Sequence, residues 1–127
     1  MLYTYEYDLS YVPAMPMVTI RIGKPDSAAS LTLPALVDSG ADATMIPVGY
    51  LEQVDAIKRR HVFIRSVSGR RAGANLYTIS LQLAHYERTR IDVVGYRSTN
   101  EAIIGRDVLN HLVVTLDGLA NAVVVEK

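Results

Sequence analysis

The sequence contains no cysteine and carries no net charge, and each absence excludes classes of protein. Without cysteine among its 127 residues, the chain forms neither a disulfide nor a thiolate metal site. Its 13 basic residues balance its 13 acidic residues. The overall charge therefore gives no reason to expect a nucleic acid or an acidic membrane as a partner, and we predict neither.

Long apolar segments are also missing. No apolar run approaches the roughly 20 residues that a membrane-spanning helix needs. The first six residues have neither the basic region nor the apolar region of a signal peptide. We therefore expect a soluble, cytoplasmic protein. Half of the residues are hydrophobic, and the length predicts a single domain over residues 1–127 with a substantial core.

Several common kinds of catalytic site lack their sequence signatures. His61, His85 and His111 do not have the spacing of metal ligands, so structural roles are expected for them. No Gly-x-Ser-x-Gly elbow is present, and the segment 69–73 lacks the strand-to-helix context of a phosphate loop. We predict no metal and no cofactor.

The dominant pattern is an alternation of apolar and polar residues with a period of two, which is typical of β-strands. Short helices are predicted only at 48–54 and, after Arg106, at 107–112. The tyrosines at the start of the chain alternate in the same way, and packing explains them better than a binding role. We therefore predict an all-β, barrel-like domain. The predicted strands lie within 3–8, 18–23, 31–38, 62–67, 76–83, 88–94, 102–104, 113–116 and 122–125.

One stretch, residues 33–47, gives the strongest functional signal. An apolar run ends at Asp38, and Ser39 and Gly40 follow it. Gly40 permits a tight turn, and Ser39 can hold that turn by a local hydrogen bond. A carboxylate at the end of a buried strand is costly unless it is paired or neutralised, so a catalytic acid or base is indicated. Asp-Ser-Gly is also a common structural turn, and the catalytic interpretation depends on its apolar flanks, on Asp42 and on a second motif at 102–109.

The two motifs together resemble those of the retropepsins, the single-domain aspartic proteases typified by retroviral enzymes. The segment 37–44, Val-Asp-Ser-Gly-Ala-Asp-Ala-Thr, resembles the family's active-site motif. The segment 103–109, an apolar pair followed by Gly, Arg and a short helix, resembles its second motif in the family's order and at about its separation. The resemblance extends from about Val18 to Gly118. It implies a closed retropepsin-like β-barrel with one short C-terminal helix and a flap hairpin.

The resemblance also implies a mechanism. Only one Asp-Ser-Gly occurs, whereas aspartic proteases use two carboxylates that share one proton and hold a water. A homodimer is therefore implied, in which Asp38 meets its symmetry mate and a polypeptide substrate is hydrolysed. Asp38, Ser39 and Gly40 form the implied catalytic set. Ser39 would brace the two loops across the axis, and Gly40 would let the substrate backbone approach closely.

Further roles follow from the matching positions. Asp42 is expected to pair with a buried Arg106, and Asp107 is expected to cap the helix that follows it. The implied structural supports are Thr44, Gly105 and Arg106. The implied substrate-binding residues are Ala41, Asp42, Val67, Ser68, Gly69 and Ile104.

The segment 62–83 predicts a hairpin with its tip between Val67 and Gly73, at the place of the retropepsin flap. Arg70 and Arg71 occupy positions where retroviral flaps are glycine-rich and apolar, and this departure favours acidic or polar substrate side chains. The basic cluster at 58–60 predicts a solvated strand edge rather than a nucleic-acid site.

Two alternatives to a homodimeric protease remain open from the sequence. The chain could be a non-catalytic peptide-binding or dimerisation module with the same fold. It could also be a monomer that stays inactive until it is assembled. Retention of Asp38, Ser39 and Gly40 together favours the enzyme.

Overall fold

The computed structural model describes residues 1–65, 68–97 and 100–126. Strands form 57% of the structure and helices 8%, which confirms the predicted all-β class. The elements, in chain order, are β1 (Leu2–Glu6), β2 (Met17–Gly23), β3 (Leu31–Val37), β4 (Met45–Pro47), α1 (Val48–Gln53), β5 (Ile57–Arg65), β6 (Arg71–Leu83), β7 (Tyr86–Tyr96), β8 (Ala102–Ile104), α2 (Arg106–Leu109), β9 (Val113–Asp117) and β10 (Ala122–Glu126).

Six strands close into a barrel, in the order β2, β3, β8, β4, β7, β6. The ring closes because β6 pairs antiparallel with β2 through residues 80–82 and 21–23. The predicted alternation in β2 is confirmed, since Val18, Ile20 and Ile22 are each at most 2% exposed while Thr19 and Arg21 face solvent. A period-two strand can place every second side chain in one core, and the barrel interior is that core.

The strand that leads to the candidate site is only half buried. The sequence predicted a buried run over 33–37, and Leu33 and Ala35 are indeed buried. Thr32 and Pro34 are exposed, however, because alternate side chains of β3 point away from the barrel interior. The continuous apolar run therefore overstated the burial of this strand.

A second sheet, in the order β1, β10, β9, joins the two ends of the chain. The predicted C-terminal hairpin is confirmed, with Ala122 opposite Asp117, and β1 pairs with β10 from Leu2 opposite Glu126 onwards. Tyr3 and Tyr5 pack against the core, as their alternation predicted. Both chain ends are thus paired within one chain.

The β5–β6 hairpin extends from the barrel, with β5 at the edge of the sheet. It confirms the predicted hairpin, and its last strand pair is Arg65 with Arg71, two positions earlier in the chain than the predicted Val67 and Gly73. Residues 58–60 are exposed on the edge strand, as predicted. Val67 lies outside the described residues.

Both helices are short, and their buried residues are Val48 and Leu51 in α1 and Val108 in α2. Leu51 of α1 and Val108 of α2 have no exposed surface. Within the described ranges no helix is long and apolar enough to cross a bilayer. The single-domain organisation and the cytoplasmic location stay predictions.

Candidate active site

The Asp38 turn begins where β3 leaves the barrel. The Asp38 amide donates a hydrogen bond to the carbonyl of Ile104 (3.0 Å), which ties the turn to β8. The Gly40 amide donates to Oδ1 of Asp38 (2.9 Å), and the Ala41 amide donates to the Asp38 carbonyl (3.2 Å). These bonds fix the carboxylate relative to the backbone, as in an Asx-turn.

The two motifs meet because β8 lies between the two strands that flank the turn. β8 runs parallel to β3 and pairs antiparallel with β4 at Met45 and Ile103. Gly105 then passes directly over the chain that leaves the turn. A Cβ on Gly105 would lie 2.7 Å from the carbonyl carbon and oxygen of Ala43, so only glycine fits there. The Arg106 amide donates to the carbonyl of Ala41 (2.9 Å) and joins the motifs.

A buried threonine and an aspartate stabilise the loop crossing, the place where Gly105 passes over Ala43. Thr44 has no exposed surface, and its amide and hydroxyl donate to the two carboxylate oxygens of Asp107 at 2.9 and 2.8 Å. The Gly105 amide donates in turn to Oγ1 of Thr44 (3.2 Å). The expected helix cap by Asp107 is wrong. Gly105 is the N-cap residue of α2, and the Asp107 carboxylate points to Thr44 instead.

Arg106 forms the predicted ion pair with Asp42, through Nη2 and Oδ1. Its Nη1 also donates to the carbonyl of Ser39 (2.7 Å). The expected burial of this pair is wrong within one chain, since the side chains of Arg106 and Asp42 are 41% and 91% exposed. Solvent therefore reaches both side chains, and Asp42 is part of a cleft lining.

Asp38, Ser39 and Gly40 are also exposed. The sequence predicted a buried carboxylate, because apolar residues flank Asp38 on both sides. In one chain that prediction is wrong, since the turn projects past the last core residues, Ala35 and Ile104.

A cleft of about 810 Å³ lies between the Asp38 turn and the β5–β6 hairpin. A cavity of about 570 Å³ adjoins it and shares Met45, Ile64 and Ala72 with its lining. These three residues were missed from the sequence, although the alternation in β5 could have indicated Ile64. The cleft is lined by Gly40, Ala41, Asp42, Ala43, Met45, Phe63, Ile64, Arg65, Arg70, Arg71, Ala72 and Val94.

The family model for the retroviral aspartyl protease matches residues 13–117. The chain belongs to the retroviral aspartyl protease family. Comparison with curated proteins gives no significant match.

Solved structures of retropepsin-like proteins share the fold of this aspartyl protease family member. A retropepsin-like aspartic protease from Rickettsia conorii is 10% identical with a TM-score of 0.64, covering 100% of this chain and 95% of the other. The EIAV protease in complex with the inhibitor HBY-793 is 17% identical with a TM-score of 0.60, covering 84% and 93%. The retroviral protease-like domain of Ddi1 from Leishmania major is 16% identical with a TM-score of 0.51, covering 81% and 79%.

The structure brings most of the predicted site residues together. Hydrogen bonds of the backbone and of side chains connect residues 38–42 and Thr44 with Gly105 and Arg106. Ile104 is fully buried beneath the turn and supports it through its carbonyl, outside the lining of the cleft. Ser68 and Gly69 are exposed near the hairpin tip, with Gly69 at a φ of 84° that favours glycine.

Proposed function

We propose that the chain is an aspartic endopeptidase that is active as a homodimer. One observation carries the proposal: among the described residues, the three carboxylates of the loop crossing have different partners. Asp42 contacts Arg106, and Asp107 accepts two bonds from Thr44. Within the described ranges the Asp38 carboxylate accepts a bond only from the Gly40 amide, so it remains available for catalysis.

The chemistry follows from two such carboxylates around one water. Two carboxylates about 3 Å apart cannot both ionise, so one is ionised and the other is protonated. The ionised Asp38 takes a proton from the water, and the water oxygen attacks the carbon of the scissile carbonyl. The protonated Asp38 gives its proton to the carbonyl oxygen. The Asp38 that took the proton from the water then gives it to the amide nitrogen, while the other, now ionised Asp38 takes a proton from a hydroxyl of the gem-diol, so the C–N bond breaks and a carboxylic acid and an amine are released.

A second chain is proposed to supply the second carboxylate, because Asp42 and Asp107 are engaged and Asp38 is the remaining carboxylate of the described loop crossing. The exposure of Asp38 is consistent with contact across a two-fold axis. Ser39, exposed beside it, is proposed to brace the partner's loop. Ala41, Asp42, Ser68 and Gly69 are proposed to contact the substrate backbone.

The edge of the terminal sheet offers a surface for this dimer. The chain ends are already paired with each other, whereas β9 pairs only with β10 among the residues that the structure describes and leaves its other edge open. This edge strand exposes Val113 (57%) and Leu116 (53%). Antiparallel pairing of β9 with its symmetry mate would extend the sheet across the two-fold axis and place new neighbours beside these residues.

The first test is hydrolysis of a peptide library by the wild type and by Asp38→Asn. We expect the variant to lose hydrolysis while its circular dichroism spectrum and melting temperature stay unchanged. Asp55→Asn is the matched control. Asp55 is exposed at a φ of 54°, which asparagine also tolerates, and it lies outside the cleft lining. Equal hydrolysis by wild type and Asp38→Asn would refute the protease proposal.

The second test separates a shared site from a site within one chain. If two Asp38 residues form the site, specific activity falls on dilution below the dimer dissociation constant. Excess Asp38→Asn should also inhibit the wild type, because subunit exchange forms inactive heterodimers. A rate that stays proportional to concentration where ultracentrifugation shows only monomer would contradict the dimer. A non-catalytic binding module would show no hydrolysis under any condition.

A further inference from the structure

Charge is distributed unevenly along this neutral chain. Residues 56–86 contain six of the 13 basic residues and none of the 13 acidic ones. This segment comprises the β5–β6 hairpin, which stands over the Asp38 turn. The structure therefore places a strongly basic hairpin over a site whose other wall carries carboxylates.

Three of these cations, Arg65, Arg70 and Arg71, line the cleft. All three are exposed. No carboxylate of the described residues forms a salt bridge with any of them, and Arg71 instead lies 4.8 Å above the ring of Phe63. Cations without carboxylate partners on one wall of a cleft concentrate a positive potential where a ligand would lie.

We propose that the cleft selects extended peptides in which acidic side chains flank an apolar scissile segment. This rests on the proposed protease function. The apolar part of the lining, which includes Met45, Ile64 and Ala72, suits the residues next to the scissile bond. A two-fold dimer presents two hairpins, so acidic residues are selected on both sides of that bond.

The opposite wall favours a peptide over a nucleic acid. Asp42, which pairs with Arg106, is 91% exposed in the cleft lining, and Asp38 is exposed next to it with no salt bridge among the described residues. A continuous polyanion would hold phosphates against these carboxylates as well as against the arginines. A peptide carries charge only at chosen positions and can leave neutral backbone beside Asp38.

The test compares decapeptides with a central apolar pair that carry either glutamate or glutamine at each flanking position in turn. We expect kcat/KM for the best glutamate peptide to exceed that of its glutamine twin by about three- to tenfold. The ratio should fall with added salt, and it should fall below about pH 4.3 as the glutamate side chain is protonated.

Arg65→Gln and Arg70→Gln should each bring the ratio toward one. Arg60→Gln, an exposed position on the same strand but outside the cleft lining, should leave it unchanged. Equal cleavage of glutamate and glutamine peptides by the wild type would overturn the selectivity and leave the protease function standing.

A binding measurement keeps the proposal testable without hydrolysis. Fluorescence anisotropy of labelled glutamate and glutamine peptides is measured with Asp38→Asn, which does not consume them. Tighter binding of the glutamate peptide that depends on Arg65 and Arg70, together with no hydrolysis by the wild type, would support the selectivity and refute the protease. Equal binding of the glutamate and glutamine peptides would overturn the proposed selectivity. Arginine-dependent binding of a labelled single-stranded oligonucleotide in preference to either peptide would also overturn it.

Discussion

Replacing Thr44 by valine tests how the two motifs are joined. Valine keeps the shape of threonine, so the substitution removes a hydroxyl without opening a large cavity. That hydroxyl donates to Asp107 at 2.8 Å and accepts from the Gly105 amide at 3.2 Å, at a position with no exposed surface. The variant therefore removes two hydrogen bonds where water does not replace them.

The magnitude follows from these two bonds. A hydrogen bond to a charged group contributes about 1.5–3 kcal/mol, and a buried N–H left without a partner costs about 1–3 kcal/mol. The Thr44 amide still donates to Asp107, so the carboxylate keeps one partner and the lower part of the range applies. We expect the free energy of unfolding to fall by about 3 kcal/mol, which corresponds to about 10 °C in melting temperature for a chain of this size.

The assay is urea unfolding followed by far-UV circular dichroism at fixed protein concentration, because dimerisation makes stability concentration-dependent. Thr32→Val is the control, since Thr32 is exposed on β3 and should change stability by less than about 0.5 kcal/mol. A double-mutant cycle with Asp107→Ala should give a coupling energy of about 1–3 kcal/mol. A loss below about 0.5 kcal/mol for Thr44→Val, or no coupling, would refute the reasoning.

Three further predictions concern Arg106, two glycines and Tyr5. Arg106→Ala should lower the free energy of unfolding of the monomer by about 1–2 kcal/mol, because its ion pair with Asp42 is exposed; a loss above about 3 kcal/mol in urea would contradict this. Gly105→Ala should lower the free energy of unfolding by about 2–3 kcal/mol, because the added Cβ would clash with the backbone of Ala43. Gly49→Ala has open space around it in α1 and should raise the free energy of unfolding by about 0.5–1 kcal/mol. Similar effects of the two substitutions would contradict the close approach at Gly105. Burial raises the pKa of Tyr5, so the stability that its neutral form contributes is complete below about pH 10 and is lost as pH rises through the raised pKa. In Tyr5→Phe the free energy of unfolding should therefore fall less steeply above pH 10. An unchanged slope would argue against a titrating Tyr5.

Local patterns predicted the elements of the fold because period-two alternation is a local property. The alternation of Val18, Ile20 and Ile22 is enough to predict a strand with one face in a core. The closure of β6 onto β2 and the pairing of the two chain ends join residues that are far apart in sequence. No local pattern encodes such pairings, and only the family resemblance pointed to a closed barrel.

Dependence on residues that are far apart in sequence also explains the wrong predictions at the site. Apolar neighbours of Asp38 and Arg106 suggested burial, but the exposure of a side chain depends on which way its turn projects from the barrel. The role of Asp107 was missed because its partner, Thr44, lies 63 positions away along the chain. A buried threonine requires a partner for its hydroxyl, and that requirement was the one available signal for the contact.

Net charge is a sum over the chain, and it therefore hides any segregation of charge within the fold. A neutral chain gave no electrostatic reason to expect an anionic partner, and that conclusion holds only if the two signs are mixed on the surface. Here the antiparallel pairing of β5 with β6 brings Arg65 opposite Arg71, while Asp42 lies on the facing wall of the cleft. Two like charges opposite each other on neighbouring strands are unfavourable without a counter-ion, and a bound carboxylate would relieve that repulsion. The charge pattern within the cleft, rather than the total charge, is therefore the property that should determine which peptides bind.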